Sequence, residues 1–322
     1  MTRDEQFMQR CLQLAAHGLG HVQPNPMVGA VIVHNNRIIG EGYHHQYGEA
    51  HAEVNALNSV KEKDLLPDST LYVNLEPCSH YGKTPPCADA IIRHHIPRVV
   101  VGTTDYHDKV NGNGIRKLQD AGIEVMLNVC EQDCLELNRR FFTYHRQHRP
   151  YVILKWAQTR DGFMDVDRSN PAEDHSYWIT NEALRVTVHK WRSEEDAILV
   201  GYNTLVNDRP QLTNRLCAGK SPKRFVMQRD NKIIEGFDYQ PTAMNIEICL
   251  QQMYEQRIQS VIVEGGRKTL DRFIAADMWD EARILVGDQR WGKGTLAPAL
   301  PQQPVRIETV DHNKILYVRR HL

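Results

Sequence analysis

The sequence predicts an α/β protein made of two domains. Short apolar runs alternate with stretches of helical period, the pattern of strands layered against helices. The chain has 322 residues, more than one core of ordinary size fills. Near its middle, a polar, basic run from His145 to Pro150 breaks the apolar pattern and ends in proline, as a boundary does. This divides the chain into domains over residues 1–146 and 150–322.

In the first half, Phe7, Met8, Cys11, Leu12, Leu14 and Ala15 recur with a period near 3.6 and predict a helix over 4–17. Pro24-Asn25-Pro26 is a turn or extended segment, because residues before proline avoid the helical region. Met27 to Val33 and Arg37 to Tyr43 are β-type runs, and Asn35-Asn36 between them reads as a hairpin turn. A helix comes next over His51 to Val60, then a strand over Thr70 to Leu75 that runs into Glu76-Pro77-Cys78. Pro86-Cys87 opens a helix over Ala88 to His94. Arg98 to Thr104 and Ile123 to Val129 are further strands, with Gly114 to Gln119 helical between them.

In the second half, Tyr151 to Trp156 is an apolar strand leading to a turn at Thr159 to Gly162, and 169–175 is a polar loop. Thr180 or Asn181 caps a helix over Glu182 to Arg192. Ala197 to Val200 is a buried strand ending at Gly201, and Thr204 opens a short segment towards Pro210. Ser260 to Val263 is a strand that ends in Glu264-Gly265-Gly266, before a helix over Thr269 to Ala276. Glycines there admit a phosphate close to the backbone, and a helix start offers it N–H donors. Arg267 and Lys268 favour an extra phosphate, hence NADP over NAD. An ordinary tight connection accounts for a lone Gly-Gly equally well. Gly112-Asn-Gly114 lacks a third glycine and follows no strand directly, so it is not a dinucleotide signature.

Composition narrows the function classes. Hydrophobic residues are 41% and charged residues 25%, the balance of a globular protein. A net charge of -1 excludes a global basic footprint for nucleic acid. The first six residues are charged rather than signal-like, and no apolar run reaches the length of a membrane span. Seven cysteines without a framework spacing read as reduced thiols, which places the protein in the cytoplasm. Cys11, Cys130, Cys134, Cys217 and Cys249 read as structural.

The chemistry concentrates at His51, Glu53, Cys78 and Cys87. Three protein ligands leave a catalytic zinc with an open fourth position. His51, Cys78 and Cys87 supply that trio, and Glu53 is left free to move protons, as in zinc nucleobase deaminases. Bound zinc lowers the pKa of water from about 15.7 to about 7, on the order of 10 kcal/mol of help with deprotonation. The competing reading is a closed four-ligand site completed by His80, which would leave Glu53 without a task. Capping and solvation alone would explain His51 and Glu53 at a helix start, but not the two proline-cysteine pairs.

Several stretches together resemble a known family. Pro24-Asn25-Pro26, Gly48 to Glu53, and the long spacer from Glu76 through Cys78, His80 and Lys83 to Cys87 are similar to the deaminase half of the bifunctional riboflavin-biosynthesis deaminase/reductases. Base deaminases acting on nucleic acid and cytidine deaminases keep the two cysteines two residues apart, whereas eight separate them here. The resemblance implies a cytidine-deaminase-like three-layer α/β/α domain. Asn25, His44, His80 and Lys83 would contact a phosphoribosylated diaminopyrimidine.

Leu154 to Gly162, Trp178-Ile-Thr180, Asp196 to Thr204, Asp208 to Arg215 and Val263 to Gly266 resemble the reductase half. This implies a dihydrofolate-reductase-like α/β domain that uses NADPH to reduce the ribosyl group to ribityl. Ala157, Trp178, Thr204, Asp208, Gly266, Arg267, Lys268 and Thr269 would meet NADPH. Ser176, Arg192, Leu212, Arg215 and Glu264 would meet the substrate, with the two arginines as phosphate clamps. This half departs from the family in four places. Thr159-Arg160 stands where Ser-Leu is usual, the loop after Gly266 is one residue longer, 216–259 is short, and 284–300 lacks the apolar-Pro-x-x-x-Gly ending. A deaminase with a degenerate nucleotide-binding second domain is therefore the alternative. Partners would be a small phosphoribosylated pyrimidine, with no nucleic acid and no membrane, and a homo-oligomer is left open.

Overall fold

The structure is a computed structural model that describes residues 1–81, 85–105, 112–166, 178–229 and 239–320. It divides into two compact units, Met1–Gln147 and His148–Leu322.

The first unit begins with α1 (Arg3–Ala16), closed at its start by a capping box. Thr2 accepts the Glu5 N–H, and the Glu5 carboxylate accepts the Thr2 N–H. Strands β1 (Gly29–His34) and β2 (Arg37–Tyr43) form the hairpin expected at Asn35-Asn36. Both asparagines have positive φ, 48° and 62°, which a two-residue turn of this hand requires. Then come α2 (Ala52–Ser59), a 3-10 turn over Lys63–Asp68, β3 (Thr70–Val73), α3 (Cys87–Arg93), β4 (Arg98–Val101), α4 (Asn113–Asp120) and β5 (Glu124–Met126). Two helices that the sequence pattern does not predict close the unit, α5 (Glu131–Leu137) and α6 (Arg139–Gln147).

The five strands run in the order β2-β1-β3-β4-β5. Alternate residues of each strand leave opposite faces of the sheet. Ala30, Ile32, Leu71, Val73, Val99 and Val101 pack on Ala56 and Leu57 of α2, Ile91 of α3 and Leu118 of α4. Val31, Val33, Tyr72 and Val100 pack on Met8, Cys11 and Leu12 of α1 and Cys134 of α5. The result is the expected three-layer α/β/α arrangement.

In the second unit the elements are β6 (Tyr151–Gln158), β7 (Phe163–Asp165), α7 (Glu182–Glu194), β8 (Ala197–Gly201), α8 (Tyr202–Asp208), β9 (Lys223–Met227), β10 (Gln240–Thr242) and α9 (Ile246–Glu255). They continue with β11 (Ser260–Val263), α10 (Arg267–Ala275), β12 (Glu281–Val286), β13 (Thr295–Leu296), β14 (Arg306–Val310) and β15 (Asn313–Arg319). The main sheet runs β10-β9-β8-β11-β6-β12-β15-β14 and is parallel from β10 to β12. It is covered on one face by α9 and α10 and on the other by α7. Asn181 is the N-cap of α7 and accepts the Leu184 N–H at 3.0 Å, one of the two caps expected. Helix α10 starts at Arg267, two residues earlier than the sequence pattern places it.

Helix α2 of the first unit is seated by its contact with β2 at Gly42. A Cβ there would stand 2.3 Å from the Ala56 nitrogen and 2.6 Å from the Ala52 oxygen. Gly42→Ala must push α2 off the sheet, and should cost about 1–3 kcal/mol of stability. A denaturation midpoint equal to that of the native chain would show that the approach tolerates a methyl group.

Candidate active sites

His51 is the N-cap residue of α2, so its imidazole sits at the helix start while Glu53 lies in the first turn. Cys78 follows β3 on a loop, and Cys87 is the first residue of α3. Their ligand atoms gather: His51 Nδ1 is 3.5 Å from Cys78 Sγ and 3.3 Å from Cys87 Sγ, and all three lie within 4.8 Å of one another. Zinc–sulfur and zinc–nitrogen bonds at the tetrahedral angle put those atoms roughly 3.6 Å apart, so the trio fits one zinc ion. His80 is exposed and stands outside the cluster, so the closed four-ligand site is not formed among the described residues.

The two thiols interact strongly with each other. Hydrogen bonds from Cys87 and then from His51 hold the Cys78 thiol far below its ordinary range, against the effect of burial. Cys87, hydrogen-bonded to Cys78 and buried, moves the other way. Glu53 is buried, and desolvation, then the neighbouring Cys78 charge, pushes its carboxyl up to about 7. That is the range in which a group both takes and gives a proton at neutral pH.

A cavity of about 380 Å³ opens onto this cluster and is lined by Asn25, His44, His51, Glu53, Cys78 and His80. Five of the expected residues thus stand around Cys78, while Cys87 is buried behind it. Lys83 lies outside the described residues. His44 Nδ1 is 3.1 Å from the Ala50 carbonyl, to which only an N–H can donate. Its Nε2 therefore accepts the Asn25 amide N–H at 3.0 Å, leaving the Asn25 Oδ1 to accept from a ligand. Sequence reasoning misses Glu76, which also lines the cavity. One Glu76 oxygen accepts the N–H groups of Gly114 (2.9 Å) and Ile115 (3.4 Å), the other those of Gly112 (3.1 Å) and Asp105 (3.2 Å).

In the second unit, Ala157, Trp178, Thr204, Asp208, Gly266, Arg267, Arg192, Leu212 and Glu264 line a cavity of about 470 Å³. Arg215 lines an adjoining cavity of about 700 Å³, which shares Ala157, Trp178, Arg192, Asp208 and Leu212 with the first. The Gly266 N–H donates to Thr204 Oγ1 at 3.2 Å and joins two of the expected cofactor segments. Lys268 and Thr269 are not in either lining; Lys268 is exposed and Thr269 is buried. The Arg267 guanidinium is engaged by Asp271 at 2.6 Å and by the Leu296 and Ala297 carbonyls. Ser176 lies outside the described residues.

Glu264 is the electrostatic centre of this site. Arg192 Nη2 reaches it at 3.0 Å and Lys155 Nζ at 3.4 Å. Burial alone would raise the Glu264 carboxyl, but the Lys155 and Arg192 charges outweigh it and hold it at about 2. Burial lowers Lys155, with Glu264 opposing. Lys155 lines both cavities and is a further residue that sequence reasoning misses; a lysine inside an apolar strand is the signal that could have found it. His189, also buried, accepts the Arg215 main-chain N–H at 2.9 Å through Nδ1.

Comparison with known proteins bears on both units. The family described as the cytidine and deoxycytidylate deaminase zinc-binding region matches residues 1–103, and the RibD C-terminal domain matches residues 150–315. The riboflavin biosynthesis protein RibD of Aquifex aeolicus is 35% identical, with 99% of each chain covered. The chain belongs to the RibD family. The RibD of Escherichia coli is 42% identical, covering 90% of this chain and 89% of its own. A crystal structure from Thermotoga maritima, of a diaminohydroxyphosphoribosylaminopyrimidine deaminase/5-amino-6-(5-phosphoribosylamino)uracil reductase, is 36% identical and superposes with a TM-score of 0.88 over 98% of both chains. Acinetobacter baumannii RibD, form 1, gives 0.88 at 30% identity over 98% of both. Deaminase and reductase domains of the RibD family are both present, so a lone deaminase is not favoured. The chain is a bifunctional deaminase/reductase of riboflavin biosynthesis with zinc and NADPH as cofactors.

Two measurements bear on these sites. His51→Ala and Cys87→Ser should each leave far less than one zinc per chain by elemental analysis; full retention would mean the metal sits elsewhere. Glu264, held at about 2 against an ordinary 4.5, stabilises the fold above pH 4.5 and loses that contribution as pH falls towards 2. The stability advantage of the native chain over Glu264→Gln should therefore shrink across that window, and a flat difference in acid denaturation would count against the ionised carboxylate.

Proposed function

We propose that residues 1–146 form a deaminase acting on 2,5-diamino-6-(5-phosphoribosylamino)pyrimidin-4-one. Residues 150–322 then reduce the ribosyl group of the deaminated product to ribityl. The observation that carries the reading is Glu53, buried and pushed up to about 7, beside three converging metal ligands.

His51, Cys78 and Cys87 hold zinc in the first unit. Zinc, when bound, lowers the pKa of water to about 7 and makes a nucleophile available at neutral pH. Glu53 takes the proton from the attacking water and passes it to the amine that leaves. Asn25, its amide fixed by His44, accepts an N–H of the pyrimidine and orients the ring. His80 and Lys83 serve the polar and anionic parts of the same molecule.

In the second unit, Ala157, Trp178, Thr204, Asp208, Gly266 and Arg267 form the NADPH site, with Lys268 and Thr269 supporting it from α10. NADPH, when bound, supplies the hydride. Arg192 and Arg215 face the phosphate, Leu212 packs on the pyrimidine, and Ser176 contributes from the segment before Trp178. Lys155 and Glu264, 3.4 Å apart, hold the proton that opening of the sugar ring requires. The protein acts in the cytoplasm on a free small molecule; a net charge of -1 offers nucleic acid no general attraction.

Glu53→Gln is expected to lower ammonia release by at least 10²-fold, the ordinary worth of a positioned acid/base. NADPH oxidation on the already deaminated intermediate should continue. If both activities fell together, two separate sites would be the wrong description.

A further inference from the structure

The segment after β12 is tied to the turn after β6 by a single carboxylate. Asp161 accepts the main-chain N–H of Gly292 at 2.8 Å and that of Trp291 at 3.1 Å, besides the Thr159 hydroxyl at 2.6 Å. Arg160 adds a main-chain N–H to the Gln289 carbonyl at 2.8 Å. Gln289 then works in two directions. Its amide N–H donates to the Trp178 carbonyl at 2.7 Å, and its amide oxygen accepts the Trp291 indole N–H at 3.2 Å. The Arg185 guanidinium stacks on the Trp178 ring, 4.5 Å from its centroid.

Both tryptophans line the cavity that contains Gly265, Gly266 and Thr204. Trp291 lies within 284–300, where the sequence departs from the family pattern, so no resemblance assigns it a part. Its main chain and its indole nitrogen are both held, so little freedom is left to lose when a flat ring packs on it. Aromatic pairs of this kind gain from offset or edge-to-face packing.

We propose that Trp291 is a wall of the cofactor site and packs against a planar ring of NADPH. Asp161 is the positioning residue that holds it there. The inference rests on the assignment of this cavity to NADPH. Trp291 replaces, in this chain, whatever contact the usual ending of that segment would provide.

The test is a titration of the full-length protein with NADPH, followed by energy transfer from tryptophan emission to the nicotinamide, together with steady-state reduction of the deaminated intermediate. Trp291→Phe should lose part of the energy transfer while staying near the native KM for NADPH, because an aromatic face remains. Trp291→Ala should raise that KM roughly three- to tenfold, the range of an aromatic pair. Asp161→Ala should do the same with Trp291 still present, and Asp161→Asn, which keeps an acceptor oxygen, should fall between. The change should appear in KM for NADPH and not in kcat. Ammonia release by the same preparations serves as the control for folding. A native KM in both alanine variants, or undiminished energy transfer in Trp291→Phe, overturns the inference alone. A native chain that neither quenches with NADPH nor oxidises it overturns the reductase assignment as well.

Discussion

The catalytic loop of the first unit depends on one buried carboxylate. Glu76 receives four main-chain N–H groups, three of them at the start of α4, and it stands two residues before Cys78. A carboxylate buried there is tolerable only because every donor is supplied. In return it fixes where the Cys78 sulfur falls. Pro77 between them removes one degree of freedom, and Gly114 lets the loop close in, since a Cβ there would lie 1.9 Å from the Pro77 carbonyl. On the opposite side, the bare face of β2 at Gly42 sets the height of α2 and with it His51 and Glu53. The trio of ligand atoms is thus the meeting point of three segments, the start of α2, the loop after β3 and the start of α3.

The second unit uses the same physics on a different scaffold. Glu264 ends β11 and is held by cations from β6 and α7, so three elements share one charge-assisted cluster. His189, on the same helix as Arg192, braces Arg215 through the main chain. Both arginines are therefore held by protein contacts already in place, and less ordering would remain to be done if a ligand bound there.

Where local pattern decides structure, the sequence is legible. The apolar period of α1, the Asn35-Asn36 turn and the apolar runs of β1, β3, β6, β8 and β11 all read directly. So does the ligand trio, because two proline-cysteine pairs downstream of His-x-Glu stand out together, although the histidine and glutamate alone would read as helix capping. The failures have physical causes. The end of helix α6 falls in the basic run from His145 that reads as a boundary, and the helix itself goes unread, although Phe141 and Phe142 turn inward. Strand β12 begins Glu281-Ala-Arg283, which breaks an apolar run. Arg283 is in fact buried against Glu281 at 2.6 Å and Glu195 at 3.3 Å. Lys155 escapes notice for the same reason, since its partner lies over a hundred positions away. Glu76 gives no local sign at all, because its donors are fixed only by the tertiary fold. Lys83 and Ser176 rest on resemblance.

Among the described residues, the pocket at the His51, Cys78 and Cys87 cluster is walled by positions numbered below 148, and the two pockets around Arg192 and Asp208 by positions numbered above it. Each unit therefore supplies its own walls. A stop and restart of translation at that point would yield two shorter polypeptides, each carrying the described walls of its own pocket. Fission and fusion of such a gene would leave those walls as they are.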